Sequence, residues 1–183
     1  MEDSQLHLVR AAGKGDREAF ERIVKRYQNP LFNFIHKYLG DRYAAEDLTQ
    51  EAFLRIFKAA PQFEARAGVK VSTWIFKIAY NLSMNEIKRR RRFQTFQYDF
   101  HDKEMAGRRL SETAELRELE KEIMSALSQL PGNQKAALLL RVNEGLSYRE
   151  ISEILSVSIP GVEALIFRAR KGLRERLSKE QKE

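Results

Sequence analysis

The 183-residue chain contains no cysteine. Disulfides, thiolate zinc sites and thiol redox sensing are therefore excluded. Proline (4) and glycine (9) are sparse, a poor composition for a turn-rich β-sandwich. No apolar run approaches the ~20 residues a membrane span needs. The opening residues, Met1-Glu2-Asp3-Ser4-Gln5, are polar and acidic, unlike a secretory signal. These absences predict a soluble, cytoplasmic protein that makes no membrane contact of its own. Histidine is scarce too, and His7, His36 and His101 are scattered. Asp47 and Glu51 at i, i+4, with Glu46 beside them, could share a metal as in a nuclease. No second carboxylate cluster completes such a site. We expect no metal, no cofactor and no catalytic residue.

Present instead is an excess of positive charge. Lys and Arg number 33 against 26 Asp and Glu, a net charge of +7. That balance points to a polyanionic partner, nucleic acid or an acidic membrane. Hydrophobic residues make up 43%, enough for real cores.

Apolar residues recur with helical spacing through most of the chain. Asp16 can cap a helix whose face reads Phe20, Ile23, Val24 and Tyr27. Beyond Pro30 the period continues through Leu31, Phe34, Ile35 and Tyr38, as two helices or one kinked helix. Gly40-Asp41 is a stop. A second helix runs from about Ala44 to Ala60, with Leu48, Ala52, Phe53, Ile56 and Phe57 as its buried stripe. Pro61 ends it, and residues 62–71 form a loop. Ser72 or Thr73 then caps a third helix, Trp74 to about Arg92, with Ile75, Ile78, Ala79 and Leu82 inward. Trp74 lies at the edge of that face and is expected in the core.

From Phe93 to Thr113 the periodicity fails, which predicts a flexible linker. Charge shifts with it: residues 70–92 hold seven Lys/Arg and one acid, whereas residues 99–122 hold eight acids and five Lys/Arg. That break supports domains at 1–92 and 114–183, joined by 93–113. In the second, Leu116, Leu119, Ile123, Leu127 and Leu130 form an apolar stripe stopped by Pro131-Gly132. Another helix covers about Gln134 to Asn143. The predicted fold is all-α: two small helical domains, the second a four-helix helix-turn-helix domain.

The C-terminal signal is specific. Ser147-Tyr148-Arg149-Glu150 fits a capping box, in which Ser147 bonds the amide three residues on and Glu150 reaches back. Ile151, Ile154 and Leu155 face inward, Ser156-Val157-Ser158 turns, and Ser158 can cap a last helix with Pro160 in its first turn. Val162, Leu165, Ile166, Ala169 and Leu173 are that helix's buried stripe. Pro160, Gly161, Glu163, Ala164, Phe167, Arg168 and Lys171 lie on the other side. Small residues near the start of a cationic face suit entry into a major groove, because bulk there would block base edges. Arg168 could pair with guanine, Phe167 could touch a thymine methyl, and Arg170, Lys171 and Arg174 could bind phosphates. The bland alternative is a three-helix packing unit with a solvated basic face.

The segment Asp47-Leu48-Thr49-Gln50-Glu51-Ala52-Phe53-Leu54-Arg55-Ile56-Phe57 resembles the helix by which sigma factors grip the clamp coiled coil of RNA polymerase. Spacing alone would leave it a solvated helix face. The block Val71-Ser72-Thr73-Trp74-Ile75-Phe76-Lys77-Ile78-Ala79-Tyr80-Asn81-Leu82, followed by Lys88-Arg89-Arg90-Arg91-Arg92, resembles the family's promoter-melting and minus-ten reading helix. Leu130-Pro131, Gly145-Leu146-Ser147-Tyr148-Arg149-Glu150-Ile151 and Ile166-Phe167-Arg168-Ala169-Arg170 resemble its minus-thirty-five domain. The chain lacks the extra domains of housekeeping sigma factors, so the resemblance is to the two-domain extracytoplasmic-function (ECF) subclass.

The resemblance implies core-polymerase contacts at Asp47, Gln50, Glu51 and Leu54. It implies a pocket for a flipped non-template base in the Phe63–Val71 loop with Asn81 behind it. Phe63, Lys77, Asn81, Lys88 and Arg89 would meet minus-ten DNA. Pro160, Gly161, Glu163, Ala164, Phe167, Arg168, Lys171 and Arg174 would meet minus-thirty-five DNA. Core RNA polymerase, promoter DNA and an anti-sigma factor are the implied partners. Glu163 and Ala164 stand where some members carry Arg and Ser, so the family's usual upstream preference does not transfer. A two-domain helix-turn-helix regulator without a promoter-opening role is the competing reading; it would normally be dimeric, and no dimer helix follows Leu173–Leu177.

Overall fold

The computed structural model describes residues 5–64, 70–96 and 114–180. Among them are eight α-helices and one 3₁₀ turn, with no strand. The first four helices are α1 (Leu6–Gly13), α2 (Arg17–Leu39), α3 (Arg42–Ala59) and α4 (Val71–Phe96), with the 3₁₀ turn Ala60–Gln62 after α3. The second four are α5 (Ala114–Ser128), α6 (Gly132–Val142), α7 (Tyr148–Leu155) and α8 (Ile159–Glu180).

Helix ends follow local chemistry. Asp16 accepts from the Ala19 amide at 3.0 Å to open α2, and Gly40, at φ 73°, closes it in the left-handed conformation that glycine adopts without strain. Asp41 opens α3 by accepting from the Ala44 amide at 3.0 Å. Pro30 lies inside α2, which runs through it as one helix. The third predicted helix differs from expectation: it starts at Val71, so neither Ser72 nor Thr73 is its cap, and it continues through Phe96. The stretch expected as linker therefore begins as helix, and residues 97–113 lie outside the described residues.

Helix α1 has no counterpart in the sequence reading. Gln5 precedes it with no side-chain cap, and the helix is short, so the usual start signal is missing. Val9 and Ala12 are nevertheless buried. Gly13 lets α1 approach the 3₁₀ turn: a Cβ there would lie 2.7 Å from the Ala60 carbonyl oxygen.

The N-terminal core is built on aromatic rings. Phe34 stacks with Tyr38 and meets Phe76 edge-on; Tyr27 and Tyr80 close the cluster. Ile23, Leu31, Ile35, Ile56 and Ile75 are fully buried around it, each contributing about 1.5–3 kcal/mol of transfer free energy. Ala45 and Ala52 bring α3 close to its neighbours. In the second domain α6 is buried nearly all round, at Ala136, Ala137, Leu138, Leu139 and Leu140, which marks a central helix. It packs on α7 and α8 on one side and on α2 on the other, while α7 rests on α4. The predicted stripe of α5 is correct at Leu127 and Leu130, but Leu119 and Ile123 are exposed.

Candidate nucleic-acid interface

Helix α3 presents an outer line. Asp47, Gln50, Leu54 and Phe57 are exposed, at steps of three or four residues that keep them on one face, and Lys58 is exposed beside them. Leu54 is 55% exposed and Phe57 47%. Phe57 was expected in the core; instead it packs edge-on against Phe20 at 5.0 Å and leaves its other side open. Glu51 is half-buried and paired with Arg55 at 2.8 Å, and Glu46 is paired with Arg42 at 3.0 Å. These carboxylates are engaged by arginines along the helix, not gathered as metal ligands. No group of three His, Asp or Glu among the described residues could hold a metal ion.

Helix α4 carries a second line. Lys77, Asn81, Asn85, Lys88 and Arg92 are all exposed and recur every three or four residues. The result is a stripe of amides flanked by cations. Asn85 is absent from the sequence-predicted set, although its position four residues after Asn81 would have shown it. Trp74 is half-buried, and its ring lies 4.5 Å from that of Phe63. Its predicted core position is thus only partly met. Residues 65–69 of the expected base pocket lie outside the described residues.

Arg89 does not stand free for phosphate. Its Nε and Nη2 donate to the two Glu86 carboxylate oxygens, each at 2.8 Å. Arg90 donates to Glu86 at 2.7 Å and to Asp41 at 2.8 Å. The bonds from Arg89, then those from Arg90, outweigh burial and hold the Glu86 carboxyl down at about 2. Arg89 is therefore bonded to a residue of its own helix before any DNA arrives, whereas Lys88 and Arg92 lie on the exposed line.

In the second domain the capping box forms as expected. Ser147 Oγ accepts from the Glu150 amide at 3.3 Å, and Glu150 accepts from the Ser147 amide at 2.8 Å. Ser156 makes the turn at φ 56°, and Ser158 Oγ accepts from the Gly161 amide at 3.2 Å, opening α8. Val162, Ile166 and Ala169 are buried, with Leu165 and Leu173 packed beside them. Pro160, Glu163, Phe167, Lys171 and Arg174 are exposed along a single line. Phe167, 69% exposed, is a large apolar ring left in water on a cationic helix. Arg168 is exposed beside that line, toward half-buried Gly161 and Ala164.

Two cationic helix faces, with an exposed apolar-acidic line on a third helix, frame the comparisons with known proteins. The family model described as "Sigma-70 region 2" matches residues 23–93, and that described as "Sigma-70, region 4" matches residues 120–173. The RNA polymerase sigma-H factor of Pseudomonas aeruginosa is 30% identical, covering 94% of this chain and 93% of that protein. The ECF RNA polymerase sigma factor SigW of Bacillus subtilis is also 30% identical, covering 92% and 94%. The chain belongs to the ECF RNA polymerase sigma factors. The ECF sigma-E factor of Escherichia coli is 31% identical over 91% of this chain and 90% of its own length. Among solved structures, CnrH in complex with the cytosolic domain of CnrY matches with a TM-score of 0.73 at 22% identity, covering 97% and 99% of the two chains. RpoE of Bartonella quintana, solved with the anti-sigma factor NepR, matches with the same score and identity over 87% and 96%. Both share the fold of this sigma factor. The region 2 match decides against the plain helix-turn-helix regulator, which has no use for that domain.

Proposed function

We propose that this sigma factor binds core RNA polymerase through α3, reads and melts the minus-ten element through α4, and reads the minus-thirty-five element through α8. The observation that carries the reading is the pair of exposed polar lines on α4 and α8. Asp47, Gln50, Glu51 and Leu54, extended by Phe57, form the polymerase contact. Exposed apolar side chains among acids suit a cationic amphipathic partner helix, because Leu54 and Phe57 lose water on docking while the acids fix register.

Lys77, Lys88 and Arg92 neutralise phosphates, which positions α4 without reading sequence. Asn81 and Asn85 supply the donor–acceptor pairs that hold an unstacked base by its Watson–Crick edge, with Phe63 beside them. Arg89 acts chiefly within the protein, through Glu86. On α8, Glu163 accepts from a cytosine amino group, Phe167 covers a thymine methyl, and Arg168 reaches a guanine. Pro160, Gly161 and Ala164 keep the helix start thin enough for the groove. Lys171 and Arg174 take phosphates.

The working location is the cytoplasm, with polymerase, and no helix among the described residues is long and apolar enough to cross a membrane. No catalytic step is assigned to the chain. An anti-sigma factor completes the set of partners; the fold shared with a sigma factor solved beside such a protein supports it. The test is co-elution with core polymerase on size exclusion. A one-to-one complex is expected, and separate elution at micromolar concentrations would refute the α3 assignment.

A further inference from the structure

Arg89 borders the α4 stripe and is turned away from it. It follows Asn85 by four residues, so the two are neighbours on the helix surface. Its side chain is 62% exposed, with the reach and the charge to take a phosphate. Instead its fork closes on Glu86, which lies further round the helix from Asn85 than Arg89 does.

Glu86 is anchored where it stands. Its side chain is only 10% exposed. Arg90 Nε donates to it at 2.7 Å, and Arg90 in turn donates to Asp41, the cap of α3, at 2.8 Å. Its carboxyl, held at about 2 by the Arg89 bonds first and the Arg90 bonds after them, is ionised at any working pH. The acceptor is thus fixed and charged, while the donor is a long side chain at the surface. A DNA phosphate offers an arginine the same two-pronged geometry as a carboxylate. Glu86 and phosphate therefore compete for the same N–H groups.

We propose that Glu86 determines specificity by caging Arg89 away from DNA phosphate, which limits sequence-independent binding by α4. Phosphate contacts supply affinity without sequence information. Each cation withdrawn from that set lowers binding to all sequences alike. The base-reading amides Asn81 and Asn85 then decide a larger share of the total. Glu86 touches no DNA and acts through Arg89, as a positioning residue. The inference rests on the assignment of α4 to DNA proposed above.

Binding of the full-length chain to random-sequence duplex, followed by fluorescence anisotropy across a salt series, reads the cage. Glu86→Gln keeps the shape and removes the charge that holds Arg89. It should tighten binding at low salt and steepen the dependence of log affinity on log salt by about 0.9, the slope of one added phosphate contact. Between 50 and 200 mM salt the variant should then lose about 3.5-fold more affinity than the unmodified chain. Loss of a negative charge as such, or a loosened fold, would not depend on Arg89. Glu86→Gln combined with Arg89→Gln should therefore return the slope to that of the unmodified chain. Arg89→Gln alone should cost less binding than Lys88→Gln, because Arg89 is already withheld. That comparison leaves Glu86 in place and so decides the matter even should Glu86→Gln unfold. An unchanged slope in folded Glu86→Gln overturns the cage, as does a steeper slope that persists in the double variant. Equal losses from Arg89→Gln and Lys88→Gln also overturn it. If Lys88→Gln leaves binding untouched, the assignment of α4 to DNA fails and the cage falls with it.

Discussion

Arg90 and Asp41 stand 49 residues apart and meet at 2.8 Å. Asp41 caps α3, the helix assigned to polymerase, while Arg90 lies on α4, the helix assigned to DNA. Glu86 completes the bridge from below. One ion network thus ties α3 to α4.

Breaking that network should cost stability. Glu86 is nearly buried and its carboxyl is held at about 2, well below its ordinary value. Its stabilising contribution is therefore fully present above the ordinary carboxylate range and is lost as pH falls toward 2. Glu86→Gln should lower stability at pH 7 by about 1–2 kcal/mol, discounted because both arginines are partly in water. The difference between variant and wild type should shrink below pH 4. Urea unfolding at several pH values checks this; a constant difference across pH would remove Glu86 from the network.

Polymerase binding should depend on the exposed line of α3. Glu51→Lys should weaken it by reversing charge on that face, and Leu54→Ala should cost about 1–2 kcal/mol, roughly tenfold, by removing an exposed anchor. Neither substitution disturbs a buried side chain, so thermal unfolding should be nearly unchanged. Binding titration with core polymerase measures both, and unaltered affinity in the two variants would place the contact elsewhere.

Much of this arrangement is legible in the chain itself. Asp16 and the Ser147–Glu150 box announce helix starts through side-chain oxygens, and both act as such; Asp41, which with Gly40 reads as a stop, also opens α3. The α8 line follows from helical spacing alone. Other features carry no local signal. Helix α1 lacks a capping side chain and is held by packing against the 3₁₀ turn. Phe57 reads as core because it continues an apolar period, yet it stays 47% exposed, with Phe20 edge-on beside it. Lys135 reads as an ordinary surface group, since its burial arises only where α6 meets α2. Asn85 follows Asn81 by four residues on the same helix face, so helical spacing alone places it in the stripe.

Promoter melting should fall with the α4 amides. Asn81→Ala and Asn85→Ala should each reduce open-complex formation more than closed-complex binding, because a flipped base needs its edge satisfied only after unpairing. Permanganate reactivity of unpaired thymines reports the difference. Arg89→Ala should act mainly through Glu86, lowering stability with a smaller effect on melting. Unchanged reactivity for both asparagine variants would exclude the stripe from base capture.

Upstream recognition should divide along α8. Arg168→Ala should cost about 1–3 kcal/mol at one base pair and relax preference there, whereas Arg174→Ala should weaken all sequences alike and reduce the salt slope by about one. Arg168 sits beside the Glu163–Phe167 line, near the thin start of the helix; Arg174 lies further along, past the reach of base edges. Holoenzyme binding to a panel of upstream variants across a salt series separates them. Equal losses for every sequence with Arg168→Ala would make that residue a phosphate clamp.

The central claim is that this chain confers promoter choice on polymerase. Run-off transcription from a randomised promoter library, by core polymerase with and without the chain, tests it most directly. Transcripts that appear only with the chain, and that share one upstream and one downstream element at fixed spacing, are the expected result. A library transcribed identically in both reactions would contradict the account.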